Sequence, residues 1–152
     1  VTLANSIALR LASQDDCRQL FEWRNDPTTV AMSLVSEPVA WEDHVRWFSS
    51  VLGNPARHLL VASDDVESFG TVRFDDIDDT AEISITVSPE KRGQGVGGVL
   101  LELAAGWAKD ELGLDRILAQ IKGTNPASIA IFKKAGYEIT DEGEVLSLVK
   151  YL

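Results

Sequence analysis

The chain has 152 residues, 45% of them hydrophobic, one cysteine and a formal charge of −10. That length and apolar fraction predict a single globular domain over residues 1–152, with interior enough for a core. The acidic balance excludes broad nucleic-acid binding, which needs surplus Lys and Arg; no apolar run approaches the ~20 residues of a membrane span; and Cys17 has neither a disulfide partner nor metal-ligand companions.

In chain order, residues 7–11 read as a first strand, and the capping-box pair Ser13 and Asp16 opens a helix that runs to about Asp26, where Pro27 ends it. A second, amphipathic helix covers residues 41–52, with Trp41, Val45, Phe48 and Leu52 at three- and four-residue spacing. Three strand-like runs follow at 58–62, 69–75 and 81–87, divided by acidic turns at Asp64-Asp65 and at 76–79. The order then changes to a long helix over about 95–112, a strand at 116–121, a helix at 127–134, and final strands near Tyr137 and at 145–150. Short turns between the early strands imply antiparallel pairing, and a helical crossover after Val87 implies one parallel pair. The expected class is α/β (α+β): a mixed, mostly antiparallel sheet of six to seven strands with helices on both faces.

The most informative stretch joins that parallel pair. After Val87 come Lys91, Arg92, Gly93, Gln94, Gly95, Val96, Gly97 and Gly98, directly before the long helix. Glycines there let the backbone curl so that several N–H groups converge, with the positive end of the helix behind them, and Arg92 and Lys91 add charge. The stretch reads as a cradle for a diphosphate; a plain glycine-rich turn before a helix is the other reading, against which four glycines in six residues count for their entropy cost. The spacing Gly93-x-Gly95-x-x-Gly98 also satisfies a dinucleotide fingerprint, but the required acid is misplaced: Asp115 precedes the next strand, and that strand ends Gln120, Ile121, Lys122. A nicotinamide or flavin site is therefore not expected.

The run Arg92-x-x-Gly95-x-Gly97, with Asn125, Pro126 and Ser128 and then Phe132, Lys133, Gly136 and Tyr137 downstream, resembles the GNAT acetyltransferase superfamily. The resemblance covers nearly the whole chain and implies a GNAT fold, with acetyl-CoA as cosubstrate and no metal. It implies that the strand ending at Val87 and the one ending near Ile121 splay apart, so that the pantetheine arm enters like an added strand. Ile85, Val87, Arg92, Gly93, Gln94, Gly95, Val96, Gly97, Gly98, Asn125, Ser128, Phe132 and Lys133 are the cofactor-binding residues so implied. For Asn125 a helix cap ahead of Pro126 is the competing role. Charge agrees with the assignment: residues 116–137 carry four basic residues and no acid, whereas 64–82 carry eight acids and only Arg73.

Acetyl transfer to an amine needs a neutral nitrogen, a stabilised oxyanion and a proton for the departing thiolate. Glu82, five residues before Val87 and on one strand face with Ser84 and Thr86, is the candidate base; a water-facing member of the acidic turns is the alternative. Where many members of the superfamily place a tyrosine acid this chain has Phe132, which cannot donate a proton. Ser128 matches the serine of ribosomal-protein N-terminal acetyltransferases and is the alternative donor, working with water; otherwise it serves the helix start.

The acceptor is sought in the N-terminal third. Trp23, Arg24, Asn25, Asp26 and Pro27, then Ser36, Glu37, Pro38, Trp41, Glu42, Asp43 and His44, resemble GNAT enzymes that acetylate a UDP-linked amino sugar of pseudaminic acid biosynthesis. Arg24, Asn25 and His44 are the substrate-binding residues this implies, with a core position as the other reading of His44. A small-molecule amine, a nucleotide sugar among the candidates, is the expected partner. A protein N-terminus or polyamine is the alternative acceptor, and a non-catalytic CoA sensor the alternative function. No nucleic acid or membrane partner, a cytoplasmic location and a monomer or homodimer complete the expectation.

Overall fold

Seven strands form one sheet in the order β1-β2-β3-β4-β5-β7-β6. They are β1 (Ala8–Leu11), β2 (Arg57–Ser63), β3 (Ser68–Ile77), β4 (Thr80–Val87), β5 (Arg116–Lys122), β6 (Glu138–Asp141) and β7 (Val145–Tyr151). The computed structural model describes residues 7–152, so the first six residues of the 1–152 domain expectation lie outside the described residues. Every neighbouring pair is antiparallel except β4 with β5, as the crossover after Val87 requires.

The acidic turns close hairpins by defined local chemistry. Asp64 accepts through Oδ1 from the N–H groups of Val66 and Glu67, both at 2.8 Å, which turns β2 into β3. Asp78 has φ of 52° in the β3–β4 turn, a left-handed position that Asp tolerates better than bulkier residues.

Alternation along the strands splits the core in two. On one face Leu60, Val72, Phe74, Ala81 and Ile83 pack against Leu100, Leu101, Ala104 and Ala108 of helix α4 (Val96–Glu111). On the other, Leu59 and Val61 meet Leu20 and Trp23 of α1 (Cys17–Arg24) and Phe48 and Val51 of α3 (Trp41–Leu52). Helix α5 (Pro126–Lys134) leads into the last hairpin and packs on α4.

One boundary differs from expectation. The helix expected over 13–26 is a 3-10 turn (Gln14–Asp16) followed by α1, and Pro27 then opens a further helix, α2 (Pro27–Met32). Asp26 caps α2 by accepting from Thr29 N–H at 3.2 Å, so Pro27 sits at the first helical position, where its missing N–H costs nothing. The expected pairing of Ser13 and Asp16 is present: Ser13 N–H donates to the Asp16 carboxylate at 2.8 Å. Arg10 adds two further bonds to Asp16, both 2.8 Å, fastening β1 to this turn.

Gly70 marks the closest approach of two strands. A Cβ there would stand 2.2 Å from the Thr86 carbonyl oxygen and 3.0 Å from Leu100 Cδ1. Backbone on one side and a core side chain on the other cannot both retreat. Gly70→Ala is expected to cost about 3 kcal/mol of unfolding free energy, measured by urea denaturation at unchanged slope.

Candidate active site

The β4–β5 ladder consists of two rungs, Glu82 with Leu118 and Ile83 with Ala119. Beyond them β4 keeps its pairing to β3 through Val87, and β5 keeps its pairing to β7 through Lys122. Neither strand pairs with the other again. The sheet therefore forks between 84–87 and 120–122, and backbone groups on both inner edges are left for an amide-bearing ligand. Ile85 and Val87 turn their side chains into the α4 core, so only their main chain borders the fork.

Beside the mouth lies the glycine loop. Gly93 and Gly95 have φ of 75° and 78°, and a Cβ on either, or on Gly98, would meet nothing within 4 Å. Among the described residues, no main-chain N–H from Arg92 through Gly98 donates to a protein acceptor. Val96 is buried and anchors the first turn of α4, and Gly97 lets that turn pass Ile131 of α5, whose Cδ1 would be 3.2 Å from an added Cβ. Gln94 donates to the Glu90 carbonyl at 3.2 Å and faces solvent. Free amides, left-handed glycines and open space fit a diphosphate.

Arg92 is shared with the N-terminal helices. It donates through Nη2 to Asp26 at 2.6 Å and to Thr29 Oγ1 at 2.7 Å, and its guanidinium holds the Asp26 carboxyl below the usual carboxylate range. From the opposite side, Lys122 at the end of β5 donates to the Ala31 carbonyl at 3.0 Å and to Ser36. Two cations thus tie α2 and the segment after it across the mouth of the fork. Neither tie was expected from the sequence.

Three rows of residues cross the sheet on the face covered by α1 and α3: Val61, Thr71 and Thr86; Leu59, Arg73 and Ser84; Arg57, Asp75 and Glu82. Glu82 is half-buried and its carboxylate makes no hydrogen bond to a described residue. Burial chiefly, and the Asp75 charge second, push its pKa up, opposed by Arg73. A raised carboxylate pKa suits a base for an ammonium better than an ordinary one.

On α5, Asn125 accepts through Oδ1 from Ser128 N–H at 3.2 Å, which is the capping role. Its Nδ2 and the half-buried Ser128 hydroxyl have no hydrogen bond to another described residue. Phe132 is a core residue, 3% exposed and edge-on to Tyr137 with ring centroids 4.9 Å apart. The Tyr137 hydroxyl is buried without a partner among the described residues, and burial drives its pKa far above the ordinary phenol range. Lys133 lies exposed in the last turn of α5, where its charge offsets the negative helix end.

The three expected substrate-binding residues lie at the joints of the N-terminal helices. His44 is 3% exposed, packed among Phe21, Trp41, Trp47 and Phe48, with Nε2–H donating to the Cys17 carbonyl at 2.9 Å. It joins α1 to α3 and does not face an acceptor; burial lowers its pKa and keeps it neutral. Asn25 spends both ends of its amide on the Val39 main chain, at 2.7 Å each, and so pins the segment before α3. Arg24 donates through Nη2 to the Val35 carbonyl at 2.9 Å, while its buried Nη1 has no partner among the described residues. Among the described residues no cluster suits a metal ion, and no helix is long and apolar enough to cross a membrane.

A family model described as an acetyltransferase (GNAT) domain matches residues 6–138. YwnH of Bacillus subtilis, named as a candidate phosphinothricin acetyltransferase, is 33% identical over 141 residues, covering 86% of this chain and 83% of its own. The L-amino acid N-acyltransferase MnaT of Escherichia coli is 27% identical over 143 residues, covering 88% and 81%. The fold is that of spermidine N-acetyltransferase from Vibrio cholerae, solved with CoA and spermine: TM-score 0.86 at 18% identity, covering 97% of this chain and 96% of that one.

Proposed function

Since the chain belongs to the GNAT acetyltransferase family, we propose that it moves an acetyl group from acetyl-CoA to the nitrogen of a small primary amine. The observation that carries this is the fork beyond Ile83 and Ala119, with the unpaired amides of 92–98 beside its mouth. The loop and Arg92 hold the diphosphate, the inner edge of β4 at 84–87 bonds the amide arm, and Asn125 Nδ2 meets the same arm from α5.

When bound, acetyl-CoA supplies a thioester carbonyl: the amine nitrogen attacks it, the N–C bond forms, the C–S bond breaks, and the thiolate leaves to take a proton. Glu82 accepts the proton that the ammonium must shed, directly or through one water. The Ser128 hydroxyl, unpaired among the described residues, passes a proton toward the departing sulfur with water as the source. Phe132 supports this end of the site by packing alone.

A small amine is preferred to a nucleotide sugar on charge and space. A nucleotide would call for a basic wall, for which the N-terminal third offers Arg24 and Arg46; Arg24 already donates through Nη2 to the Val35 carbonyl, and Arg46 pairs with Asp43 on the exposed side of α3. The named acceptors of the relatives, phosphinothricin, L-amino acids and spermidine, are all small. A polyamine acceptor is the second reading, favoured by the acids from Asp75 to Glu82.

The test is CoA release from acetyl-CoA with small amines, a UDP-amino sugar and N-terminal peptides. Release is expected with a small amine and not with the nucleotide sugar; tight cofactor binding without release from any acceptor would instead make this a sensor. Arg92→Glu is expected to weaken acetyl-CoA binding at least about tenfold by calorimetry, because it sets a second carboxylate beside Asp26 at the diphosphate site.

A further inference from the structure

Acetyl transfer explains Glu82 but not the cations beside it. Arg57 donates through Nε to Asp75 Oδ1 at 2.8 Å, and Arg73 through Nε to Asp75 Oδ2 at 3.0 Å. Each carboxylate oxygen serves one guanidinium. The Trp47 ring lies against both, its centroid 5.9 Å from the Arg57 guanidinium carbon and 5.6 Å from that of Arg73. Arg73 is held by one edge only: neither of its Nη groups pairs with a described residue, and neither is fully buried.

Position completes the argument. Arg73 lies opposite Ser84, and Glu82 lies opposite Asp75, so Arg73 and Glu82 are diagonal neighbours on one face. Such neighbours stand about 7–8 Å apart along an antiparallel pair, within reach of two long side chains that converge on one small molecule. Ser84 is also the first β4 residue past the last rung of the seam with β5. Arg73 is therefore the β3 residue across from the point where the sheet opens and diagonal to the proposed base, with its guanidinium held at Asp75 and two Nη groups left over.

We infer that Arg73 selects the acceptor by binding a carboxylate carried beside the reacting amine, so that the preferred substrate class is a zwitterionic α-amino acid or a close analogue. The inference rests on the acetyl-transfer reading. In an α-amino acid both groups sit on one carbon, so the two Nη groups can grip the carboxylate bidentately while the amine turns to Glu82. Asp75 and Trp47 are positioning residues that fix the angle of the Arg73 guanidinium. A polyamine would bring a second ammonium toward Arg73, and the acid nearest to attract it, Asp75, already has both oxygens occupied.

The experiment measures CoA release with L-phosphinothricin, the protein L-amino acids, the carboxamide of each, and spermidine. It is run on the wild-type chain, Arg73→Met and Arg73→Lys. The best carboxylate acceptor should exceed its carboxamide about 100-fold in kcat/KM. The amine of a carboxamide is less basic and easier to deprotonate, so such a preference cannot come from the nitrogen. In Arg73→Met the ratio should fall to within about threefold, chiefly through KM for the acid, and Arg73→Lys should recover part of it. Equal use of acid and carboxamide by the wild type, or spermidine outrunning every amino acid, overturns the inference and leaves acetyl transfer standing. No release from any acceptor removes both.

Discussion

Glu82→Gln should lower kcat about 100-fold at neutral pH and leave acetyl-CoA affinity unchanged, because the substitution removes a proton acceptor while keeping size and position. The pH profile is the sharper readout. Burial and Asp75 raise the Glu82 pKa, so the wild-type rate should fall as pH drops through a value above the ordinary carboxylate range, where the base becomes protonated. The Gln variant has nothing there to titrate, and its acidic limb should vanish. An acidic limb of the same midpoint in both proteins would take Glu82 out of the reaction. Removing Asp75 offers a check of sign: with less negative charge nearby, the midpoint should move down.

Gly95→Val is the second large effect, and it falls on binding. Gly95 caps α4 with φ of 78°, a left-handed geometry that costs a side-chain-bearing residue about 1–2 kcal/mol. Nothing lies within 4 Å of the new Cβ, so the protein itself does not clash with it. The variant should fold, with a modest loss of stability. Acetyl-CoA affinity should nonetheless fall about 100-fold, since valine relieves its strain by turning the loop amides away and fills space the diphosphate needs. Gly70→Ala is the counterpart: its main effect is on stability, and any loss of affinity follows from the shift it forces on Thr86. Calorimetry and denaturation on both variants separate cradle from scaffold, and full affinity in Gly95→Val would refute the cradle.

What could be read from the sequence was local. The 41–52 helix, the three alternating strands and the glycine run each declare themselves within a dozen residues, and each lies within a residue or two of its expected place. Pro27 was misleading because one residue can end a helix or open one; Asp26 ahead of it, with a side chain able to cap, decides for opening. His44 carried a signal that chemistry overshadowed. It lies three residues after Trp41 and four before Phe48, on the apolar stripe of its helix, where a ring is more often packed than presented.

The acceptor face was beyond sequence reading for a different reason. Arg57, Asp75 and Glu82 become one row only when two hairpins fix their register, and a slip of a single residue would send all three to other neighbours. Arg73 stood out as the lone base in an acidic stretch, yet its partner could not be named without that register. The ties from Arg92 to Asp26 and from Lys122 to Ser36 join residues 66 and 86 positions apart.

The short seam between β4 and β5 gives this sheet a border inside itself. Exposed strand borders invite foreign chains to dock and aggregate, and most proteins blunt them with charge or bulges. Here the border from Ser84 onward faces another strand of the same molecule, with α2 tethered over the opening. A second protein could reach it only by prying β5 away, whereas one slim, extended guest can slide in. The protein thereby keeps hydrogen-bonding capacity ready for a ligand without advertising it to its neighbours.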